Sequence, residues 1–177
     1  MIETDRLRLR PWREADKPHF ERIANTPAMM AHMGGVGPRA QFDALVDAQI
    51  AMQLEHGFSF WAVEMIADGT LVGMCGPRIG GHPGTPVENE LEIGWRIAEP
   101  FWGRGFAKEA ASASIAFAFA QTGRPRILAW TIPANRASWG LMIALGMTRR
   151  QALDFDHPRF PNGHPVRQHI VYGLDRP

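Results

Sequence analysis

A short stretch in the middle of the chain, PFWGRGFAKEA at residues 100–110, combines glycines and cations in a way that suits an anion. Gly103 and Gly105 lack a Cβ atom, so the backbone can approach a ligand closely. Arg104 and Lys108 add positive charge where a helix-like run begins. A helix N-terminus presents unpaired N–H groups and about half a positive charge, which attract phosphate. The stretch therefore predicts a phosphate site, and a plain glycine turn leading into a helix is the competing interpretation.

Two common phosphate loops do not match this stretch. A Walker loop requires Gly-Lys-Ser or Gly-Lys-Thr, and the chain contains neither. A dinucleotide-binding loop requires a third glycine where Lys108 stands, and it belongs to a parallel βαβ unit. The turn follows a region with the pattern of antiparallel hairpins instead, so the phosphate belongs to another class of ligand.

Two carboxylates and one hydroxyl are candidates for acid–base chemistry. Glu90 and Glu92 alternate with apolar residues in ELEIGWRIA, where they are either bases or solvated residues on a polar strand face. Ser138 lies three residues after Asn135 at the start of a helix-like run, and both residue types are common helix caps. Cys75, the only cysteine, lies in an apolar strand with no sequence partner that would lower its pKa. We interpret it as a core residue, and no intrachain disulfide is possible.

The elements that must position these residues follow a clear order. Alternation of Arg and Leu predicts a first strand at residues 6–10, and two helical runs follow it. Three strands come next, with a hairpin signal at Asp68-Gly69 between the first two. A helix from about Gly105 to Gln121, a strand at 126–132, a helix at 135–145 and two closing strands, MTRRQALDFD and VRQHIVYGL, complete the chain. This order predicts an α+β fold in a single domain, residues 1–177, with a mixed sheet.

Composition limits the classes of protein that need to be considered. The 177 residues carry a formal charge of +1, which gives no general attraction to nucleic acid or to anionic membranes. The N-terminus lacks the apolar segment of a signal peptide, and the longest run of low charge is too short to span a bilayer. We therefore expect a soluble cytoplasmic protein. The histidine spacing offers no HxxxH frame and there is no CxxC, so no metal site is predicted.

Residues 2–150 resemble the GNAT superfamily of N-acetyltransferases, and in particular the branch of ribosomal-protein-alanine N-acetyltransferases. The phosphate loop of that family is Gln/Arg-x-x-Gly-x-Gly/Ala, which corresponds here to residues 102–107, with Trp102 in the first position as in the ribosomal-protein branch. A second motif, NRASWGLMIALGM, matches the Asn-x-x-Ser segment and the helix that ends in Leu-Gly-Met. The opening IETDRLRLRPW is similar to the first strand of the branch. Two motifs in the matching order are much more specific than one.

The resemblance implies that the anion is the pyrophosphate of acetyl-CoA, the acetyl-donor cosubstrate. It also implies a largely antiparallel sheet flanked by helices, with a splay between the fourth and fifth strands. The pantetheine arm would pair with backbone in that splay, and Asn135 would bond its amide while capping the helix. The implied cofactor-binding residues are Trp95, Arg96, Ile97, Trp102, Gly103, Arg104, Gly105, Phe106, Ala107 and Asn135.

The resemblance also suggests catalytic roles. Glu92 is the first choice for the base that deprotonates the acceptor amine, with Glu90 or a water chain as alternatives. The family often places a tyrosine acid at the position of Met142, which cannot donate a proton. Ser138 is then the local hydroxyl that could contact the sulfur, because Tyr172, the only tyrosine, lies in the last strand.

The expected activity is direct acetyl transfer from acetyl-CoA to an amine. A non-catalytic acyl-CoA-binding or regulatory module of the same fold is the alternative. The acceptor is open between a peptide N-terminus and a small amine such as an aminoglycoside, a polyamine or an amino acid. A protein acceptor would favour an open, acidic groove. We expect residues 157–164, a proline-braced hairpin loop, to lie near the acceptor pocket, and a homodimer is an open alternative to a monomer.

Overall fold

The computed structural model describes all 177 residues. Five α-helices form, and the long ones are α3 and α4. Their bounds are α1 Lys17–Ala24, α2 Pro27–Met30, α3 Arg39–His56, α4 Phe106–Gln121 and α5 Arg136–Ala144. None of them combines the length and the apolar character that crossing a membrane requires.

Nine strands form one sheet, in the order β1-β2-β3-β4-β5-β6-β9-β7, with β8 paired to β9. Only β5 and β6 run parallel, and they share a single matched pair, Glu92 with Leu128, beyond which they separate. The sequence did not predict β1, so β5 and β6 are the fourth and fifth of the predicted strands. This gap is therefore the splay that the resemblance implied. The bounds are β1 Ile2–Glu3, β2 Leu7–Arg10, β3 Trp61–Met65, β4 Leu71–Gly80, β5 Glu90–Ile97, β6 Arg126–Thr131, β7 Thr148–Arg149, β8 Phe155–Asp156 and β9 Gln168–Asp175.

The sheet has a hydrophobic core on each face. On one face the apolar side chains of β5, including Leu91 and Ile93, pack with Phe106 and the alanines of α4. On the other face Phe60 joins Phe20, Phe42 and further residues of α1 and α3. Because successive side chains of a strand point to opposite faces, Glu92, Gly94 and Arg96 of β5 face the α1–α3 side. Gly94 is required there, since a Cβ atom would lie 2.6 Å from the Phe60 ring.

The α+β architecture with a mixed, largely antiparallel sheet is confirmed, and two details of the prediction are wrong. The strand predicted at MTRRQALDFD is broken into β7, a 3₁₀ turn at Gln151–Leu153 and β8. The chain leaves the ladder there because the Asp154 carboxylate, rather than a backbone carbonyl, accepts from the Val171 N–H at 3.0 Å. The sequence reading also missed α2, which begins where the Thr26 hydroxyl caps the Met29 N–H and Pro27 occupies the first turn.

Candidate active site

The largest cleft in the molecule, about 1230 Å³, joins the two faces of the sheet through the gap between β5 and β6. At one end lies the glycine turn that precedes α4. The middle is walled by β5 on one side and by the start of α5 on the other. The far end is enclosed by α2 and the loop at 157–160. A long ligand that enters at α4 and a second ligand that enters at α2 would meet in the gap.

The α4 end has the geometry of an anion site. Gly103 has φ 71° and Gly105 has φ 81°, both in the left-handed region that favours glycine. Gly105 is the N-cap of α4, and no side chain caps the first N–H groups of this helix. Lys108, in the first turn, lines the cleft and takes part in no ion pair. Free N–H groups and an unpaired cation are what a phosphate requires.

Three side chains brace this turn from outside the cleft or at its edge. The Trp102 indole donates to the Ile97 carbonyl at 2.5 Å, which ties the turn to the end of β5. Arg6 donates to the Arg104 carbonyl at 3.0 Å and pairs with Glu109 at 2.6 Å. The Arg104 guanidinium lies over the Phe106 ring, 4.8 Å from its centroid, and does not line the cleft.

The backbone of β5 offers unpaired groups inside the gap. The Ala98 N–H donates to the Val72 carbonyl at 2.9 Å. Because hydrogen-bonded positions alternate along a strand, the backbone N–H and C=O of Arg96 also point toward β4. The backbone groups of Trp95 and Ile97 turn away from β4, toward the side that β6 has left, and of these the Ile97 carbonyl is taken by the Trp102 indole. An extended chain with amide groups can therefore add to β5 as a further strand.

Glu92 lies in the middle of the cleft and is 7% exposed. Arg78, its direct cross-strand partner, donates from Nε to the Glu92 carboxylate at 2.6 Å. Burial raises the pKa of Glu92, and the charge of Arg78 opposes that rise. The interpretation of Glu92 as a solvated surface residue is therefore wrong. Glu90, the reserve candidate, pairs with Arg126 and does not line the cleft.

The start of α5 forms the opposite wall. The Asn135 side-chain oxygen accepts from the Ser138 N–H at 3.3 Å, which makes Asn135 the helix cap. Its amide nitrogen donates to the Thr131 hydroxyl at 3.1 Å. The Ser138 side chain lines the cleft, its hydroxyl has no partner within the protein, and the buried Met142 lies one turn further along. Ser138 is thus the hydroxyl nearest to the cleft in this helix, while Tyr172 is outside the cleft beside Arg149.

The far end of the cleft is rich in cationic and aromatic groups. Arg96 donates from Nη2 to the Met33 sulfur at 2.7 Å, and its buried Nε has no partner. Burial and the neighbouring Arg159 lower the pKa of Arg96 to about 10, so it stays charged at neutral pH. Phe160 closes this end against Gly34, where a Cβ atom would lie 3.0 Å from the ring.

Three imidazoles pack together beside this end. The ring centroids of His82 and His157 are 4.1 Å apart, and those of His157 and His169 are 5.2 Å apart. Burial lowers the pKa of all three, that of His157 to about 4, and repulsion from neighbouring imidazoles and arginines lowers the pKa of His82 and His157 further. No group of three His, Cys, Asp or Glu side chains in the molecule is arranged to hold a metal ion.

The structure brings together most of the predicted site and adds residues to it. Arg104 and Glu90 are the candidates that lie outside the cleft. Lys108, which the sequence analysis named as a cation at the phosphate site but not among the cofactor-binding residues, lines the cleft. Arg78 had no signal, since its pairing depends on the β4–β5 register. The predicted residues that line the cleft are Glu92, Trp95, Arg96, Ile97, Trp102, Gly103, Gly105, Phe106, Ala107, Asn135 and Ser138.

Comparisons with known proteins agree with this geometry. Residues 6–148 match the family described as the Acetyltransferase (GNAT) domain. The uncharacterized protein YkkB of Bacillus subtilis is 30% identical over 82% of this chain and 84% of its own length. A crystal structure of an acetyltransferase from Agrobacterium tumefaciens is 26% identical, with a TM-score of 0.79 over 99% of this chain and 94% of that one. A ribosomal alpha-N-protein acetyltransferase in complex with coenzyme A shares the fold at 16% identity, with a TM-score of 0.75 over 97% of this chain and 95% of that one.

Proposed function

The chain belongs to the acetyltransferase (GNAT) family and is an acyltransferase, and from that premise we propose that it transfers the acetyl group of acetyl-CoA directly to an amine nitrogen. One observation carries the proposal. A single cleft connects the uncapped N-terminus of α4 with the buried carboxylate of Glu92 through the gap between β5 and β6. The cosubstrate and the acceptor can therefore approach each other from opposite faces of the sheet.

The residues present fit acetyl-CoA at the α4 end. The pyrophosphate would be held by the N–H groups of residues 103–107, with Lys108 beside it. The pantetheine arm would pair with the backbone groups of Trp95 and with the Ile97 N–H, because these have the spacing of a strand edge, while the Ile97 carbonyl is held by the Trp102 indole. Asn135 uses both of its side-chain groups inside the protein, so its proposed part is to fix Thr131 and α5 as the opposite wall. Trp102 supports the turn through the hydrogen bond of its indole to the Ile97 carbonyl, and Arg104 does so through its backbone carbonyl, which accepts from Arg6.

Glu92 is the proposed base. An ammonium group cannot attack a carbonyl until it loses a proton, and a carboxylate with a raised pKa is better matched to that task than an exposed one. Arg78 orients the carboxylate, and its positive charge opposes the rise of the Glu92 pKa. Arg78 is therefore a positioning residue. The proton passes to Glu92 either directly or through a water molecule.

Ser138 is the proposed donor to the departing sulfur. Attack of the amine on the thioester carbon forms the C–N bond, and collapse of the adduct breaks the C–S bond and leaves a thiolate. The Ser138 hydroxyl lines the cleft with no partner in the protein, so it is available to donate. Met142 occupies the place where the family often has a tyrosine and cannot take this part.

Direct transfer, without an acetyl-enzyme, is supported by the state of the only cysteine. Cys75 is fully buried in the core that faces α4, and burial raises the pKa of its thiol to about 12. A thiol in that state is a poor nucleophile at neutral pH. The acetyl group therefore passes from sulfur to nitrogen in one chemical transfer.

A thiol-release assay tests the function. Acetyl-CoA and the protein are incubated with peptides and small amines side by side, and free CoA thiol and the acetylated amine are both measured. We expect thiol release that depends on the amine, and we expect the protein incubated with acetyl-CoA alone to show no added acetyl group by mass spectrometry. Acetyl-CoA binding without release for any amine would instead identify an acyl-CoA-binding module.

A further inference from the structure

Arg96 carries a charge that no acidic side chain of the protein balances. Its Nε is buried without a hydrogen-bond partner, and its one side-chain hydrogen bond goes to the sulfur of Met33. A thioether is a weak acceptor, and a guanidinium has five N–H donors in a fixed plane. An arginine with so many unused donors at a cleft wall is an incomplete site, because a buried charge normally has a partner of opposite sign.

No carboxylate of the protein supplies that partner. Glu92 is the one acidic residue that lines the cleft, and Arg78 already holds it at 2.6 Å. The charged neighbour that affects Arg96 is Arg159, which is another cation. The acceptor half of the cleft therefore carries an excess of positive charge in the free protein.

This charge pattern discriminates between acceptor classes. Polyamines and aminoglycosides are multiply cationic, and placing one beside Arg96 and Arg159 would bring like charges together at a cost. An acidic groove would favour a protein N-terminus, and this half of the cleft is positively charged instead. That acceptor is therefore disfavoured as well. An acceptor that carries an anion next to its amine would neutralise the half-buried Arg96 guanidinium.

We propose that Arg96 binds a carboxylate of the acceptor, so that the substrate is an amine that also carries a carboxylate and an apolar side chain. This inference rests on the proposed function. A carboxylate can accept two parallel hydrogen bonds from a guanidinium, which fixes the acceptor's orientation as well as adding affinity. Glu92 and Arg96 lie on one face of β5 and line the same cleft, as a base and an anion site for one bound molecule must.

The apolar requirement comes from the walls beside Arg96. Met33, whose sulfur accepts from Arg96, lines the cleft together with Met29 and Phe160. Methionine side chains adapt to apolar groups of different shapes. Two sources of this chemistry remain, a free hydrophobic α-amino acid and a peptide with an acidic side chain beside its N-terminus, and the experiment separates them.

The test compares matched pairs of acceptors in the thiol-release assay. Leucine, methionine and phenylalanine are compared with their amides, and C-terminally amidated peptides with Glu in the second position are compared with the same peptides with Gln. We expect kcat/KM to be at least about 30-fold higher for the carboxylate member of a pair, the usual size for a buried hydrogen-bonded charge pair. The pair that shows the larger ratio identifies the source.

Three variants assign the effect to the guanidinium. Arg96→Met should bring the ratio between carboxylate and amide close to one. Arg96→Lys should keep part of it, because the charge remains while the planar fork is lost. Arg159→Met, which removes an exposed cation nearby, should change the ratio only a few-fold. Circular dichroism of each variant establishes that it is folded.

The outcomes are distinguishable from failure of the proposed function. Equal rates for carboxylates and amides, or a ratio that survives Arg96→Met, would overturn the inference while acetyl transfer stands. If no amine releases thiol, calorimetry with the same amino acids and acidic peptides decides. Binding by the unaltered protein that is lost in Arg96→Met supports the anion site without the reaction, and absence of binding overturns it.

Discussion

At the scale of single residues, two of the three arginines that line the cleft differ in whether an acidic side chain pairs with them. Arg78 is satisfied by Glu92 at 2.6 Å and lies over the Phe60 ring, 4.6 Å from its centroid. Arg96, on the same face of the sheet, has no carboxylate. Arg78 therefore orients a base, whereas Arg96 lacks an anionic partner. Both differ from an ordinary surface cation because water does not reach them freely.

The base gives the sharpest test at this scale. Glu92→Gln should lower kcat about 10²-fold or more, with little change in acetyl-CoA affinity, because the amine loses its proton acceptor. Burial holds the pKa of Glu92 above its ordinary value, so the normal rate rises with pH as this group loses its proton. Glutamine cannot titrate, and the acidic limb of the pH–rate profile should flatten. Steady-state kinetics across pH measures both effects.

Glu90→Gln is the matched control. It removes a carboxylate from the same strand and also breaks an ion pair, that with Arg126, but it does so outside the cleft. We expect its rate and pH profile to stay close to normal. A normal rate and profile in Glu92→Gln would transfer the role of base to a water chain.

Sequence reasoning reached the candidate residues better than their surroundings. It placed Glu92 on the correct strand, because alternation along ELEIGWRIA is a local pattern. It could not foresee that the face bearing Glu92 and Arg96 is covered by α1–α3, since burial depends on contacts far apart in the chain. The Arg78–Glu92 pair was hidden for the same reason, as the β4–β5 register is set across a nine-residue connection.

At the scale of elements, local signals were sufficient where a cap or turn residue defines a boundary. The glycine turn, α4 and the Asn135 cap of α5 follow from residue types within a few positions. Local signals were insufficient at MTRRQALDFD, where the Asp154 carboxylate accepts from the Val171 N–H in place of a backbone carbonyl. The splay was implied only by family resemblance, because nothing local in β5 or β6 states where two parallel strands separate.

The role of the turn before α4 in binding acetyl-CoA can be tested by comparing Gly105 with Gly57, a glycine that has nearly the same positive φ. Gly105→Ala places a Cβ atom at φ 81°, which costs stability and crowds the first N–H groups of the helix. We expect acetyl-CoA affinity to fall about tenfold or more, or about 1.4 kcal/mol, by calorimetry. Gly57→Ala is the control, because Gly57 has φ 79° at the end of α3, away from the cleft.

The two alanine variants should lose similar stability, while only Gly105→Ala should lose affinity. Equal acetyl-CoA binding by folded Gly105→Ala and Gly57→Ala would show that the cosubstrate phosphates lie elsewhere. The Cβ atom at Gly57 meets no atom within 4 Å, and that at Gly105 meets only Arg6, at 3.4 Å, so packing differs little between the two positions.

At the scale of the whole molecule, the acceptor end is held by segments that are distant in sequence. The loop at 157–160 packs on Gly34 through Phe160, and His157 contacts His82, which follows β4. Three chain segments therefore meet around the imidazole cluster. Their joint stability depends on whether these imidazoles are neutral, because His157 faces His82, His169 and the cation Arg159.

The sign of the pH dependence follows from the lowered pKa values. Between the ordinary histidine pKa of 6.5 and the folded value of about 4 for His157, the unfolded chain binds a proton that the folded chain does not. The free energy of unfolding must therefore fall as pH falls through this window. His82 and His169 have lowered pKa values as well and act in the same direction.

His157→Asn should reduce this acid sensitivity. Asparagine can accept from the Arg159 N–H as the His157 ring nitrogen does at 3.2 Å, so the loop keeps its turn without a titrating group. We expect the loss of stability between pH 7 and pH 5 to shrink by about 1 kcal/mol, less than the full pKa shift implies, because the ring is partly exposed. In a chain of this size that is about 2–4 °C in Tm. His56→Asn, at an exposed position in the last turn of α3, should leave the difference in Tm between the two pH values unchanged. Equal acid sensitivity in His157→Asn and the unaltered protein would show that the imidazole cluster does not hold the acceptor end together.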